Sequence, residues 1–279
     1  MEWRDKKGSA LFNLYIRKKV VNLLVVNPFS KKMRIPFLNY LKQNHYTGFD
    51  LKAVLFDMDG VLYDSMPAHA RSWQETMEQR GYTSTTPEEF YFHEGRIGSS
   101  TIDIITEREF GRNATEEEIR DIYARKSALF AQYNQGEILP GIKEIIGCVK
   151  SRGLEPVLVT GSGQPSLLDR LDIHFPGVFT PQTMVTAFDV EHGKPDPEPY
   201  LMGLQKGGDL KPNQAIVIEN APLGIESAVG AGIFTIAVNT GPLPDSVLGD
   251  AGASVVFSSM EKLLERMPEI LRLTQTISI

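Results

Sequence analysis

The sequence predicts an α/β protein with a doubly wound parallel sheet and a helical cap inserted after the first strand. Three observations lead to this prediction. Val54, Leu55 and Phe56 lie in an apolar run followed by two acids, which is typical of a buried parallel strand. Residues 88–135 contain several helical stretches and no convincing strand. From residue 139 onwards, strand-like apolar runs alternate with helices, as in a sheet with right-handed crossovers.

The composition is typical of a soluble globular protein. The 279 residues are enough for one α/β domain and a smaller insert, with 42% apolar and 23% charged residues. Cys148 is the only cysteine, which excludes an internal disulfide framework and favours a reducing, cytoplasmic compartment. The sequence has no apolar run long enough to span a bilayer, so no membrane association is expected.

The charge is distributed unevenly. Residues 1–50 carry ten basic and three acidic residues, whereas residues 51–279 carry nineteen basic and thirty-two acidic ones. An acidic body argues against nucleic acid as the main ligand. Residues 1–50 are interpreted as a loosely ordered extension, or as sequence upstream of a later start such as Met33, and they lack a signal-peptide cleavage pattern.

The elements after the first strand define two domains. The helices predicted next are residues 67–80, residues 101–110 and a long one from about residue 115. Thr115 followed by Glu118 is a capping-box start for the long helix. We therefore expect residues 67–136 to form a helical cap, and residues 51–66 and 137–279 to form the core domain.

The remaining core elements alternate regularly. The predicted strands are residues 155–160, 215–219, 233–238 and 254–257. The predicted helices are residues 141–152, 164–171, 222–231 and 260–273. This order supports the parallel sheet.

Asp57 and Asp59 directly follow the first strand. Ligands of open α/β sheets bind beyond the carboxyl ends of the strands, so acids at this position favour chemistry. The alternative is a simple Asp-Gly turn. The segment DMDGVLYDS resembles the first motif of the haloacid dehalogenase superfamily, in the form that its phosphatases and phosphomutases use.

This resemblance implies a role for each acid. Asp57 would be the nucleophile that takes a phosphoryl group, and Asp59 the general acid and base beside it. An aspartyl-phosphate divides one difficult hydrolysis into two easier steps. Like charge opposes attack of a carboxylate on phosphate, so Mg²⁺ is expected as the cofactor.

Two further stretches resemble motifs of the same superfamily. VTGSG places Thr160 and Ser162 after a strand, where a hydroxyl and open backbone amides suit a phosphate. GKPDPEPY places Lys194 where the superfamily neutralises the nucleophile and the transferring group. Taken alone, the first stretch is a strand-to-helix turn and the second a surface turn.

The fourth motif departs from the usual pattern. Most relatives have Glu-Asp where this chain has Glu219-Asn220. The resemblance implies that the metal is held by the Asp57 side chain, the Asp59 backbone carbonyl and Asn220. A neutral amide weakens such a site unless another carboxylate compensates. Glu219 and a cap residue are the two alternatives.

Three cap positions are candidate substrate-binding residues: His69, Glu94 and Lys126. The chain resembles the β-phosphoglucomutase branch at His69 and Lys126. It departs at the specificity loop, where the mutases carry Lys-Gly and then an arginine, and this chain has Glu94 and later Gly98. Each candidate has a simpler alternative: His69 could cap a helix, Glu94 could be a solvated loop acid, and Lys126 could be an exposed charge on a helix.

The resemblance of residues 52–260 is closest to a subgroup that hydrolyses inorganic pyrophosphate. The expected activity is Mg²⁺-dependent hydrolysis through aspartyl-phosphate, with Glu94 near the metal and Lys126 on the distal phosphate. The alternatives are a β-phosphoglucomutase, a phosphatase of small sugar phosphates or nucleotides, and a catalytically silent phosphate-binding protein. A monomer is favoured.

Overall fold

The computed structural model describes residues 28–163 and 165–279, with residues 28–32 and 165–169 described by backbone alone. The helices are α1 Pro28–Gln43, α2 Met66–Gln79, α3 Glu89–Phe92, α4 Gly98–Phe110, α5 Glu116–Tyr133, α6 Ile142–Ser151, α7 Pro165–His174, α8 Glu198–Lys206, α9 Pro222–Gly230, α10 Asp245–Asp250 and α11 Met260–Thr276. The strands are β1 Ala53–Phe56, β2 Glu155–Val159, β3 Met184–Val185, β4 Ala215–Glu219, β5 Phe234–Val238 and β6 Val255–Phe257.

The strands form one sheet in the order β3-β2-β1-β4-β5-β6. All neighbouring strands are parallel, which confirms the predicted doubly wound sheet. β1 lies between β2 and β4, and in this topology ligands bind beyond the carboxyl ends of such central strands. The residues that follow these three strands therefore meet at one edge.

Hydrophobic clusters cover both faces of the sheet. Val54 and Phe56 of β1 belong to one cluster, whereas Ala53 and Leu55 belong to the other. All four side chains are buried. A strand covered on both faces has no polar side, which explains why β1 is a continuous apolar run in the sequence.

Helix α1 lies in the region that was expected to be loosely ordered. Phe37, Tyr40 and Leu41 are buried at helical spacing on one face. The Phe37 ring stacks on Phe234 with centroids 4.3 Å apart, and the Tyr40 hydroxyl donates to the Gly232 carbonyl at 2.9 Å. The expectation of loose order is therefore wrong for α1, because these apolar contacts outweigh its basic residues. Residues 1–27 lie outside the described part.

The cap consists of α2 to α5 and has a hydrophobic cluster of its own. Its buried members are Ala70, Trp73, Met77, Tyr82, Phe90, Ile102, Ile105 and Ile122. α5 begins with the predicted capping box, in which Thr115 and Glu118 each accept a hydrogen bond from the other's backbone N–H. The two segments that connect cap and core are paired, and the Asp64 N–H donates to the Glu137 carbonyl at 2.9 Å.

Among the described helices, none combines the length and the apolar character needed to cross a membrane.

Candidate active site

Asp57 and Asp59 lie directly beyond β1, and both residues are 3% exposed. The turn that follows them requires glycine. Gly60 has a φ of +82°, and a Cβ there would lie 2.1 Å from Nδ2 of Asn220. This close approach brings the residue after β4 against the turn that carries the two acids.

Lys194 connects the nucleophile position to the neighbouring strands. It is 1% exposed and lies on the loop before α8. Its Nζ donates to Asp57 Oδ1 at 2.6 Å, to Glu219 Oε1 at 2.7 Å and to the Val159 carbonyl at 3.2 Å. An ammonium has three donors, so the side chain is fully engaged and fixes the orientation of Asp57.

Glu219 supports Lys194. Its Oε1 also accepts from the Tyr200 hydroxyl at 3.0 Å. Its Oε2 accepts from the backbone N–H groups of Asn220 at 2.7 Å and Ala221 at 3.0 Å. Both carboxylate oxygens are occupied by donors. Of the two alternatives for a carboxylate that compensates Asn220, the structure therefore disfavours Glu219.

The charges around Asp57 leave it short of positive neighbours. Burial raises the pKa of Asp57 to about 7, and the nearby Glu219 and Asp59 act in the same direction. Lys194 opposes this rise but is shared with Glu219. A second source of positive charge is needed to keep this carboxylate ionised at neutral pH.

Asp59 is joined to the cap by a chain of polar contacts. Its Oδ1 accepts from the Ser65 hydroxyl at 2.5 Å. The same oxygen lies 3.2 Å from His69 Nε2, although no well-aligned hydrogen bond forms there. His69 Nδ1 lies 2.7 Å from Lys126 Nζ, and because an ammonium can only donate, Nδ1 is assigned as the acceptor. Burial acts to raise the pKa of Asp59, but His69, Ser65 and Lys126 outweigh it and lower the pKa.

These contacts define where His69 and Lys126 lie. Both are buried and line the cavity between cap and core, so neither is an exposed helix residue. The Lys126 ammonium lies 5.2 Å from the Trp73 ring centroid and 4.9 Å from that of Phe130. His69 contacts both Asp59 and Lys126, whereas Lys126 interacts with Asp59 only through its charge. Their predicted contact with the substrate stays a prediction.

We expect Lys126→Met to stabilise the fold while lowering activity. Burial lowers the pKa of Lys126 from 10.5 to about 8, so its charge is unfavourable in the folded state at neutral pH. After subtracting the lost bond to His69, the expected gain is about 1–2 kcal/mol at pH 7. The gain is present below pH 8 and disappears as the pH approaches 10.5, where the lysine is neutral in both states. Urea unfolding at pH 7 and pH 10, with exposed Lys150→Met as the control, measures it; a less stable Lys126→Met protein at pH 7 contradicts it.

Thr160 and Ser162 follow β2 and lie near the edge where Lys194 contacts Val159. Thr160 is 3% exposed, and its Oγ1 accepts from the Ser162 N–H at 3.0 Å. A hydroxyl that accepts in this way still has its own hydrogen to donate. Ser162 lines the cavity.

Two buried oxygens at this edge have no hydrogen-bond partner among the described residues: Asp57 Oδ2 and Asn220 Oδ1. Unpaired buried oxygens are costly, and carboxylate and amide oxygens are ligands that Mg²⁺ accepts. Within the described residues, no three His, Cys, Asp or Glu side chains converge as a metal site. A cation here would therefore depend on an amide and a backbone oxygen as well.

The cap is closed over the core. A Cβ on Gly95 would lie 2.7 Å from Cδ of Lys194, and one on Gly161 would lie 2.6 Å from the Gly95 carbonyl. The space that remains is a cavity of about 60 Å³. Its lining includes Asp59, His69, Trp73, Phe90, His93, Glu94, Arg96, Tyr123, Lys126 and Ser162.

Glu94 lies among other acids. It lines the cavity, and burial together with Asp59 and Asp57 raises its pKa well above the usual range. Lys194 opposes this rise. Glu94 is partly exposed as a residue, but it is not a solvated loop acid, because its carboxylate interacts with the charges of Asp59 and Asp57.

Three site residues were not selected from the sequence. Tyr200 contacts Glu219. His93 and Arg96 line the cavity, and each has a buried nitrogen that finds no hydrogen-bond partner in the described part of the chain. His93 and Arg96 flank Glu94 in the segment HEGR. Their position beside a candidate residue is the sequence feature that could have identified them. Tyr200 closes the GKPDPEPY string, but its partner follows nineteen residues later.

The comparisons with known proteins agree with this geometry. A family model described as haloacid dehalogenase-like hydrolase matches residues 54–238. Hexitol phosphatase A of Escherichia coli is 34% identical over 190 residues, covering 67% of this chain and 83% of the relative. A phosphorylated carbohydrates phosphatase of Thermotoga maritima is 30% identical over 225 residues, covering 79% of this chain and all of the relative.

A solved structure from Bacteroides vulgatus, provisionally described as a beta-phosphoglucomutase, is 54% identical with a TM-score of 0.82. It covers 87% of this chain and 97% of its own. The resemblance to the superfamily is confirmed, whereas the narrower resemblance to a pyrophosphatase subgroup receives no support from these relatives. The chain belongs to the haloacid dehalogenase-like hydrolase family.

Proposed function

We propose that this protein is a Mg²⁺-dependent phosphohydrolase that cleaves small phosphorylated compounds through an aspartyl-phosphate on Asp57. Two buried carboxylates and their partners support the proposal. Asp57 accepts a hydrogen bond from Lys194, and Asp59 accepts one from Ser65 and lies close to His69. Such a pair combines a nucleophile with an acid and base. Intact acids at both positions argue against a silent phosphate-binding protein.

The residues present fit Mg²⁺. Asp57 Oδ2 and Asn220 Oδ1 lack partners among the described residues, and Asp59, through its backbone carbonyl, and Glu94, which both line the cavity, are further sources of oxygen ligands. When bound, Mg²⁺ offsets the negative charge of phosphate and carboxylates. It supplies the positive charge that the raised pKa of Asp57 requires.

The chain's own residues have separate tasks in the reaction. Asp57 attacks phosphorus, and Asp59 gives a proton to the leaving oxygen. Because the pKa of Asp59 is lowered in the free site, Asp59 takes up this proton when the negatively charged substrate binds beside it. Thr160 and Ser162 hold the transferring group through their hydroxyl groups, and the Lys194 ammonium, whose three donors are engaged, stabilises it through its positive charge. Asp59, now ionised, takes a proton from the water that hydrolyses the aspartyl-phosphate, which restores both acids and releases orthophosphate.

Phosphorylated sugars and sugar alcohols are the first substrate class. The support comes from the relatives, since both the hexitol phosphatase and the phosphorylated carbohydrates phosphatase are named for such compounds. A β-phosphoglucomutase is disfavoured by the specificity loop. At Gly98, where the mutases are expected to have an arginine, a Cβ would lie 2.4 Å from the Tyr123 ring.

Inorganic pyrophosphate is the second candidate, favoured by the closed cavity. Its volume of about 60 Å³ is small compared with ordinary ligand pockets of about 300–1,000 Å³. A compact diphosphate fits this space better than a hexose phosphate. Glu94 as a metal ligand, with Lys126 near the distal group, would suit such a substrate.

The experiment is a measurement of kcat/KM for orthophosphate release with Mg²⁺ across three classes: hexitol and hexose phosphates, pyrophosphate, and nucleotides. A parallel assay follows the isomerisation of β-glucose 1-phosphate. Sugar phosphates preferred tenfold or more support the first class, and pyrophosphate preferred to that extent supports the second. Isomerisation of the sugar without phosphate release contradicts the proposal.

We expect Glu94→Gln to increase the Mg²⁺ concentration at half-maximal activity by about tenfold or more, as for lost support of a metal site. An amide ligand is weaker than the carboxylate it replaces. Calorimetric titration of Mg²⁺ into the metal-free protein measures the same loss directly. The control is Glu88→Gln, an exposed acid of the same cap, and equal Mg²⁺ affinity in both variants contradicts the assignment.

A further inference from the structure

Tyr200 is a fully buried side chain behind the catalytic lysine. It lies in the first turn of α8, after Pro197 and Pro199, and is 0% exposed. Its hydroxyl donates to Glu219 Oε1 at 3.0 Å. Its ring centroid lies 5.1 Å from Lys194 Nζ, within the range of a cation–π contact. The tyrosine therefore contacts both partners of one buried ion pair.

The hydroxyl and the lysine compete for one oxygen. Glu219 Oε1 accepts from Tyr200 and from Lys194, while Oε2 is occupied by two backbone N–H groups. Without the hydroxyl, Lys194 is the sole donor to Oε1. The attraction between that oxygen and the ammonium then increases, and the ammonium moves away from Asp57.

We propose that Tyr200 is a positioning residue for phosphoryl transfer. Its hydrogen bond to Glu219 allows the Lys194 ammonium to keep its own hydrogen bond to Asp57. This inference rests on the proposed function. The ring contributes as well, because it offers a negative face to the ammonium on a side that no water reaches. Tyr200 does not line the cavity, so its effect on the reaction is transmitted through Glu219 and Lys194.

The test compares two buried tyrosines. Tyr200→Phe keeps the ring and is expected to lower kcat about tenfold with KM changed less than twofold. Tyr40→Phe is the matched control, since its hydroxyl also donates from a buried site, to Gly232 at 2.9 Å. We expect a similar small loss of stability in both variants and a loss of kcat in Tyr200→Phe only. Equal kcat in the two variants overturns the proposal.

A double-mutant cycle tests the route through Glu219. In a Glu219→Gln protein, Tyr200→Phe is expected to lower kcat less than twofold further, whereas independent effects would multiply. Multiplying effects overturn the proposal. If Glu219→Gln does not fold, Tyr200→Leu replaces it, and a kcat no lower than that of Tyr200→Phe overturns the role of the ring. The activity of Asp57→Asn is measured in parallel. If Asp57→Asn is fully active, the proposed function itself is contradicted. If Asp57→Asn is inactive and Tyr200→Phe keeps the wild-type kcat, only the role of Tyr200 is contradicted.

Discussion

Replacement of Asp57 by Asn is expected to reduce phosphate release by on the order of 10⁴-fold or more, as for other nucleophile replacements. An amide cannot form the acyl-phosphate that the proposed reaction requires. The near-isosteric Asn still accepts from Lys194, so the site keeps its shape. We expect no loss of thermal stability, because burial raises the pKa of Asp57 and the variant removes an unfavourable charge. Phosphate release and thermal unfolding of the same preparation measure both effects.

The same motif provides the control for this experiment. Asp64 is exposed and contacts Glu137 only through its backbone N–H. Asp64→Asn is expected to retain wild-type activity within about twofold, since substitutions at such surface positions have small effects. Borohydride reduction during turnover traps an acyl-phosphate, and the trapped product should map to Asp57 and be absent from the Asn variant. Unchanged phosphate release by Asp57→Asn would remove the proposed mechanism.

The core elements could be predicted because local signals agree with the fold. β4 begins and ends where the predicted strand 215–219 does, and β2 and β5 each differ from their predicted bounds by one residue. A strand buried on both faces has no competing helical pattern. The start of α5 was equally well specified, since the capping box at Thr115 satisfies backbone groups whatever the tertiary structure is.

Elements that depend on tertiary contacts were missed. β3 has two residues and is recognisable only by its pairing with β2. α1 lies within residues 1–50, for which the sequence favours a loosely ordered extension or upstream sequence. Its signal was the spacing of Phe37, Tyr40 and Leu41, but only the sheet against which they pack determines that this face is buried.

The site shows the same division. Motif residues such as Lys194 could be predicted because each directly follows a strand or belongs to a recognisable sequence motif. His69 and Lys126 lie on different helices and are 57 residues apart in the chain, so no local pattern specifies their contact. That Glu219 is fully occupied likewise follows from donors on α8 and the loop before it. Sequence therefore indicates the acids of this site more readily than the donors that orient them.

Replacement of Lys194 by Met is expected to destabilise the folded protein by about 3–5 kcal/mol at pH 8 and to abolish activity. Lys194 is 1% exposed and bonds to both Asp57 and Glu219. Methionine fills similar space but leaves two buried carboxylates without a cation. Activity falls because the attacking carboxylate and the transferring phosphoryl group lose their shared positive charge. Urea unfolding in the presence of a metal chelator isolates the stability effect.

The pH dependence distinguishes this cause from simple loss of packing. Without Lys194, the pKa of Asp57 in the folded state rises above its wild-type value of about 7, whereas the unfolded value stays near 3.8. Below about pH 7, Asp57 is protonated in both folded proteins, so its contribution to the deficit relative to wild type is small there. The deficit grows from about pH 7, where the wild-type carboxylate ionises, until the pH exceeds the higher folded pKa of the variant. The control is Lys52→Met, which breaks an exposed pair with Asp50 and is expected to leave the free energy of unfolding essentially unchanged at either pH. A deficit of equal size at pH 5 and pH 8 would show that lost packing, and not an unpaired buried charge, explains the effect.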